Sequence, residues 1–182
     1  VPHSERIGFL SKLSFAAIVS DEGESCKFDR ATEICLMAKE LERKVIIFSN
    51  YNKALKQFQK ILKNNEIESG LLTGEIDKQD RNRHISKFKK DKNLLCLLCN
   101  ARIAGEGLTL TEASIVIFLN EWWNPSSNRQ AEDRVNRIGQ KENVLVYALR
   151  SKNTIDDSLG EIIESKINLE NEFLEKLIRN II

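Results

Sequence analysis

Lys44-Val45-Ile46-Ile47-Phe48-Ser49-Asn50-Tyr51 carries four apolar residues in a row, Val45 to Phe48, between a charged residue and a polar turn. A short continuous apolar run of this kind is the signature of a strand buried on both faces. Leu94-Leu95-Cys96-Leu97-Leu98 and Ile115-Val116-Ile117-Phe118-Leu119 read the same way, and Ser69–Leu72 and Val144–Leu149 read as shorter strands. Between them lie segments with helical spacing. Phe28–Leu41 has apolar positions near a period of 3.6, and Ala54–Leu62 places Leu55, Phe58, Ile61 and Leu62 on one stripe. In Asp77–Phe88, Ile85 and Phe88 point inward and Asp77 is the N-cap. Ser126–Ile138 follows Pro125, a helix-start signal. From Thr154 the chain reads as helical to its end.

Strands alternating with helices predict βαβ units, hence an α/β fold with a parallel sheet covered on both faces. Ligands of such sheets bind at the carboxyl ends of the strands. The loops after Phe48, Leu72, Cys99 and Leu119 are therefore the places to look for chemistry.

At 182 residues the chain is long enough for one domain with a substantial core. It is 41% apolar and 30% charged, which excludes general disorder, and no apolar run reaches the roughly 20 residues that span a bilayer. Ile7–Val19 is interrupted by Lys12 and makes a poor signal peptide, so the expectation is an intracellular protein without a membrane partner. The net charge is +1, from 28 basic and 27 acidic residues, so any nucleic-acid binding rests on local charge placement. Lys78–Lys92, with seven Lys and Arg, is one such place, either a solvated helix face or a site. Cys96 and Cys99 form a CxxC, but in a strand their odd spacing sends the thiols to opposite faces, and buried small hydrophobes are expected. His3 and His84 are far apart, and no metal site is expected.

Two stretches carry candidate chemistry. In Gln130-Ala131-Glu132-Asp133-Arg134-Val135-Asn136-Arg137-Ile138-Gly139-Gln140, the residues Gln130, Arg134 and Arg137 stand at i, i+4 and i+7 and would share a helix face. Two guanidiniums there would match phosphate oxygens. In Asn100-Ala101-Arg102-Ile103-Ala104-Gly105-Glu106-Gly107, glycines would let backbone approach a ligand at the sheet edge.

Residues 100–140 resemble motifs five and six of superfamily two helicases, specifically the SWI/SNF-type ATPases. Asp133-Arg134-Val135-Asn136-Arg137-Ile138-Gly139-Gln140 is similar to that family's DRxHRIGQ signature, and Glu121-Trp122-Trp123-Asn124-Pro125 to its WWNP segment. Lys44–Tyr51 looks like its motif four. Leu72-Thr73-Gly74 with Arg81, Ile85 and Phe88, and Val146–Leu149 through Asp157, resemble the remaining blocks. The resemblance covers about residues 25–168. It implies a second RecA-like lobe, a three-layer α/β/α domain with a mainly parallel sheet: a helical lead-in at 1–24, the lobe at 25–152 and a helical extension at 153–182. It implies Arg134 and Arg137 as fingers on the γ-phosphate of ATP. Gln130, Gly105, Glu106 and Gly107 would lie by the nucleotide, and Ser49, Asn50, Gly74, Asn100, Arg102 and Trp123 along DNA.

Asn136 stands where the family has His, Thr73 where Asp is common, Asn100 where Ser is common, and Ile103-Ala104 where Ala-Gly is more usual. None of these removes a charged catalytic group. The sequence contains no GxxxxGK followed by Ser or Thr and no strand-borne DExH. The P-loop lysine and the carboxylate that holds Mg²⁺ are required for this chemistry. The chain is thus expected to hold half of an active site and to work with a first lobe of the same polypeptide, ATP, Mg²⁺ and double-stranded DNA. Expected partners are remodelling or restriction complexes, in cytoplasm and nucleoid or in a nucleus. The alternatives are a strand-separating DNA or RNA helicase lobe, and a non-catalytic module that binds DNA or protein.

Overall fold

The computed structural model describes the backbone at residues 3–20, 24–104 and 108–181, and side chains at 8–20, 24–100, 102–103 and 108–173. Its elements run α1 (His3–Ala16), α2 (Cys26–Glu40), β1 (Lys44–Ser49), α3 (Asn52–Asn64), β2 (Glu68–Leu72), α4 (Lys78–Lys90), β3 (Leu94–Asn100), α5 (Ala101–Ala104), β4 (Ala113–Phe118), α6 (Pro125–Glu132), β5 (Leu145–Ala148) and α7 (Ile155–Ile181). The five strands pair in the order β2-β3-β1-β4-β5, and every pairing is parallel. The sheet is thus wholly parallel, as continuous apolar strands with helical crossovers require.

Alternation along the strands builds two cores. Val45, Ile47, Cys96, Leu98, Ile115 and Ile117 face α2 and α3, where Phe28 stacks on Phe58 with centroids 5.2 Å apart. Ile46, Phe48, Leu97, Cys99, Val116 and Phe118 face α4 and α6. Cys96 and Cys99 therefore do lie on opposite faces, both buried, and burial pushes each thiol's pKa up. Cys96 meets Cys35 of α2 at 3.8 Å.

Most of the expected elements appear. Ser25 caps α2 through Phe28 N, and Asp77 caps α4 through Asp80 N. The helix expected over Ser126–Ile138 is the main departure: α6 ends at Glu132. Its next carbonyls are taken elsewhere. Arg134 O accepts from Leu110 N at 2.8 Å, and Val135 O from Gln140 Nε2 at 3.2 Å. Residues 133–139 therefore turn, closing on Gly139 at φ 104°, a left-handed value that suits glycine.

Candidate functional site

The carboxyl ends of β1, β3 and β4 are in step, with Ser49 opposite Asn100 and Phe48 opposite Phe118. Polar side chains take over where the apolar run stops. Ser49 Oγ donates to Asn120 Oδ1 at 2.8 Å, and Asn50 N reaches the same oxygen at 3.1 Å. Asn100 Nδ2 donates to Asn52 Oδ1 at 2.6 Å and to Asn50 O at 3.3 Å, while Asn100 Oδ1 accepts from Arg102 N at 3.1 Å. Ser49, Asn50, Asn100 and the backbone of Arg102 are thus one network, and the Arg102 side chain is exposed beside it.

Three buried polar atoms at this edge have no hydrogen-bond partner among the described residues: Asn50 Oδ1, Thr73 Oγ1 and Asn120 Nδ2. Thr73 is 1% and Asn120 3% exposed. Because Asn120 Oδ1 is fixed by two donors, its Nδ2 is the free donor. α3 begins here behind Tyr51, with no side-chain cap on its first N–H groups. Gly74 lies in the turn two residues past the end of β2, with nothing within 4 Å of where a Cβ would stand.

The arginines make a separate set of contacts. Because α6 stops at Glu132, Gln130, Arg134 and Arg137 do not share a helix face, contrary to what their i, i+4, i+7 spacing predicts. Gln130 is exposed and borders an open recess of 450 Å³ with Ser126, Ser127, Arg129, Asp133 and Glu170. Arg134 and Arg137 are instead joined to the segment that follows α5. Arg134 gives its carbonyl to Leu110, and Arg137 Nη1 donates to Thr109 Oγ1 at 3.0 Å. Arg134 Nε is buried with no partner among the described residues, and neither arginine forms an ion pair there. Gly105, Glu106 and Gly107 lie outside the described residues.

The connection from β4 to α6 is held on both sides. Asn128 brackets Trp122, accepting from its N at 2.9 Å and donating to its O at 3.0 Å, and Trp122 packs on the second core. Trp123 is 63% exposed, and Lys166 of α7 sits 4.2 Å above its ring while donating to its carbonyl. Arg150 bridges Glu121 at 2.7 Å and Glu164 at 3.0 Å; the hydrogen bond from Arg150 to Glu121 raises the guanidinium pKa further. Deeper, Lys27 Nζ pairs with Asp156 Oδ2 and donates to Leu119 O, and burial pulls its pKa down.

Sequence reasoning missed Asn52, Asn120, Lys27 and Asp156. Asn120 was reachable, since it directly follows a buried strand at the ligand edge. Lys27 and Asp156 gave no local signal.

The helicase conserved C-terminal domain model matches residues 26–139. An uncharacterised ATP-dependent helicase of Mycoplasma genitalium is 34% identical over 151 residues, which is 83% of this chain and 15% of that protein. Among solved structures, the SWI2/SNF2 ATPase core domain of Sulfolobus solfataricus aligns with a TM-score of 0.76 at 31% identity, covering 94% of this chain and 38% of that one. The C-terminal part of the Fun30 ATPase domain aligns with a TM-score of 0.74 at 28% identity, over 88% of this chain and 53% of that one. The chain therefore spans about 15% of the length of the first curated relatives it matches.

Proposed function

Since the chain belongs to the helicase conserved C-terminal domain family, as the second RecA-like lobe of a SWI/SNF-type ATPase, we propose that it is the finger-bearing and track-bearing half of an ATP-dependent translocase on double-stranded DNA. A first lobe of the same polypeptide supplies the P-loop and the carboxylate for Mg²⁺. Among the described residues there is no group of three or more His, Cys, Asp or Glu side chains able to hold a metal ion. The whole protein acts inside the cell, where duplex DNA is found.

One observation carries this reading. The Arg137 guanidinium and the Arg134 carbonyl both bind the 108–110 segment, neither arginine has a carboxylate partner among the described residues, and Arg134 Nε is buried with nothing there to donate to. A buried N–H without an acceptor, such as Nε of the half-buried Arg134, is costly unless a partner completes it. A γ-phosphoryl group held by the opposite lobe is such a partner, and guanidinium forks stabilise the charge that develops on it. The neutral Thr109 hydroxyl orients Arg137 without neutralising it. The carboxyl edge supports the second half of the proposal. Asn120 Nδ2 and Thr73 Oγ1 are donors without acceptors among the described residues, beside the uncapped start of α3, a set that complements phosphate oxygens.

In the two-lobed protein, Arg137→Ala should lower DNA-stimulated ATP hydrolysis by roughly three orders of magnitude, the scale of an arginine finger. Activity within a few-fold of wild type would remove the finger assignment. The isolated 182-residue chain should not turn over ATP.

A further inference from the structure

The near-neutral chain hides a strong separation of charge. Residues 52–92 hold eleven Lys and Arg against six Asp and Glu, while the remainder holds seventeen against twenty-one. Within α3 the imbalance is complete: Lys53, Lys56, Lys60 and Lys63 are present with no acidic residue. Their spacing of i, i+3, i+7 and i+10 puts all four on one stripe, opposite the buried Ala54, Leu55, Phe58 and Leu62. Like charges at these spacings each cost a few tenths of a kcal/mol of helix stability. Among the described residues only Lys56 is relieved by a carboxylate, that of Glu75.

Topology sets where this stripe leads. α3 connects the carboxyl end of β1 to the amino end of β2, and β2 is the outermost strand. α4 returns in parallel on the other face, carrying Lys78, Arg81, Arg83, Lys87, Lys89 and Lys90. The two helices thus flank a free sheet edge with cations. Lys60 and Lys63 of α3 and Lys87 of α4 line one groove of 660 Å³, together with Gln59, Ser69, Glu66 and Glu68. Glu68 is 3.5 Å from Lys87, and Lys87 is also 3.8 Å from Asp91. Lys60, Lys63, Lys78, Lys90 and Lys92 make no ion pair among the described residues. At 13 residues α3 is about 20 Å long, the length of roughly six phosphates on one DNA strand.

We infer that the β2 edge, with the lysine stripe of α3 and the last turns of α4, is a second binding surface for duplex DNA, reached through its phosphates and separate from the carboxyl-edge track. This rests on the translocase reading above. A duplex lying across the strand ends meets the start of α3 at Lys53; the lysines that continue down to Lys63 and Lys90 lead away from it, toward the opposite end of the sheet. They fit a second duplex or the returning arm of a bent one. The chemistry is sequence-independent, because ammonium groups read charge and not base edges.

The test uses the two-lobed protein with Lys60, Lys63 and Lys90 changed together to Gln. All three are exposed, so the fold should survive, and removing like charges should leave α3 no less stable. Binding is measured across a salt series for two probes, a short duplex that fills only the track and a four-way junction that presents a second arm. The expected result is a salt slope for the junction lowered by about 2 to 3, at about 0.9 for each phosphate no longer neutralised. Short-duplex affinity and short-duplex-stimulated ATPase should stay within about two-fold of wild type. An unchanged junction slope would overturn the inference and leave the lysines as protection of a free strand edge. An equal loss on the short duplex would overturn it too, placing the lysines in the track. A polyglutamate peptide that binds wild type but not the variant, with DNA slopes unchanged, would assign the surface to an acidic protein instead. Failure of the wild-type protein to respond to any duplex would refute the translocase proposal itself.

Discussion

Lys27 Nζ lies 2.6 Å from Asp156 Oδ2, and both side chains are almost wholly buried. The same ammonium donates to Leu119 O at 2.9 Å, and the same carboxylate oxygen accepts from Ser151 N at 2.8 Å. The start of α2, the end of β4 and the start of α7 are thereby tied at one point, one residue before Asn120 of the carboxyl-edge network. Burial is the largest influence on Lys27 and lowers its pKa, with Asp156 opposing. Such a pair adds little net stability over an apolar replacement but is expensive to break from one side.

Lys27→Met should therefore destabilise the protein by about 3 to 5 kcal/mol, since it strands a buried carboxylate. Combining it with Asp156→Leu should recover about 2 kcal/mol of that loss, the remaining deficit being the orphaned Ser151 N–H. Urea titration of the two variants and the wild type measures both. A double variant as unstable as the single would contradict the pairing.

Arg134 should separate stability from activity. Its structural contribution is its carbonyl, bound to Leu110 N, which any side chain preserves. Its Nε is a buried donor without a partner among the described residues. Arg134→Ala should change unfolding free energy by no more than about 1 kcal/mol. In the two-lobed protein the same change should lower ATP hydrolysis by at least about a hundred-fold. Paired losses of stability and activity would point to a structural arginine.

Gly160 sits inside α7, where glycine costs about 1 kcal/mol relative to alanine. A Cβ there would stand 2.7 Å from Arg150 Nη1. The guanidinium lies close against the helix while it reaches Glu121 and Glu164. Gly160→Ala alone should gain little, because it displaces that guanidinium. In an Arg150→Ala background it should stabilise by about 1 kcal/mol. Equal effects in the two backgrounds, measured as a double-mutant cycle, would deny the contact.

Glu132 ends α6 with its pKa raised by burial first, then by Asp133 and Glu121. In the window from the ordinary carboxylate value up through the raised one, the folded state holds more proton than the unfolded one. Stability therefore falls as pH rises through that window. Glu132→Gln should melt higher than wild type at neutral pH, and the difference should vanish below about pH 4, the ordinary carboxylate range. A difference independent of pH would show that the carboxylate is not responsible.

Much of this was visible in the residues. Apolar runs marked β1, β3 and β4, Asp77 announced its cap, and the thiols of Cys96 and Cys99 were assigned to opposite faces. All of these depend on neighbours in the chain: strand alternation and first-turn hydrogen bonds are fixed within a few residues. The end of α6 was not visible. Nothing between Ser126 and Ile138 stops a helix; the stop comes from Leu110 N and Gln140 Nε2 competing for its carbonyls.

The sequence alone determined the parallel α/β architecture, because continuous apolar strands between amphipathic helices have few other ways to bury their surface. The tertiary structure alone decided which polar groups go unanswered. Thr109 beside Arg137, Asn120 with an amide N–H unpartnered among the described residues, and Lys27 against Asp156 depend on meetings of distant segments, and periodicity carries no information about them. A group's partner, and so its readiness for a phosphate, is set only when the sheet brings those segments together.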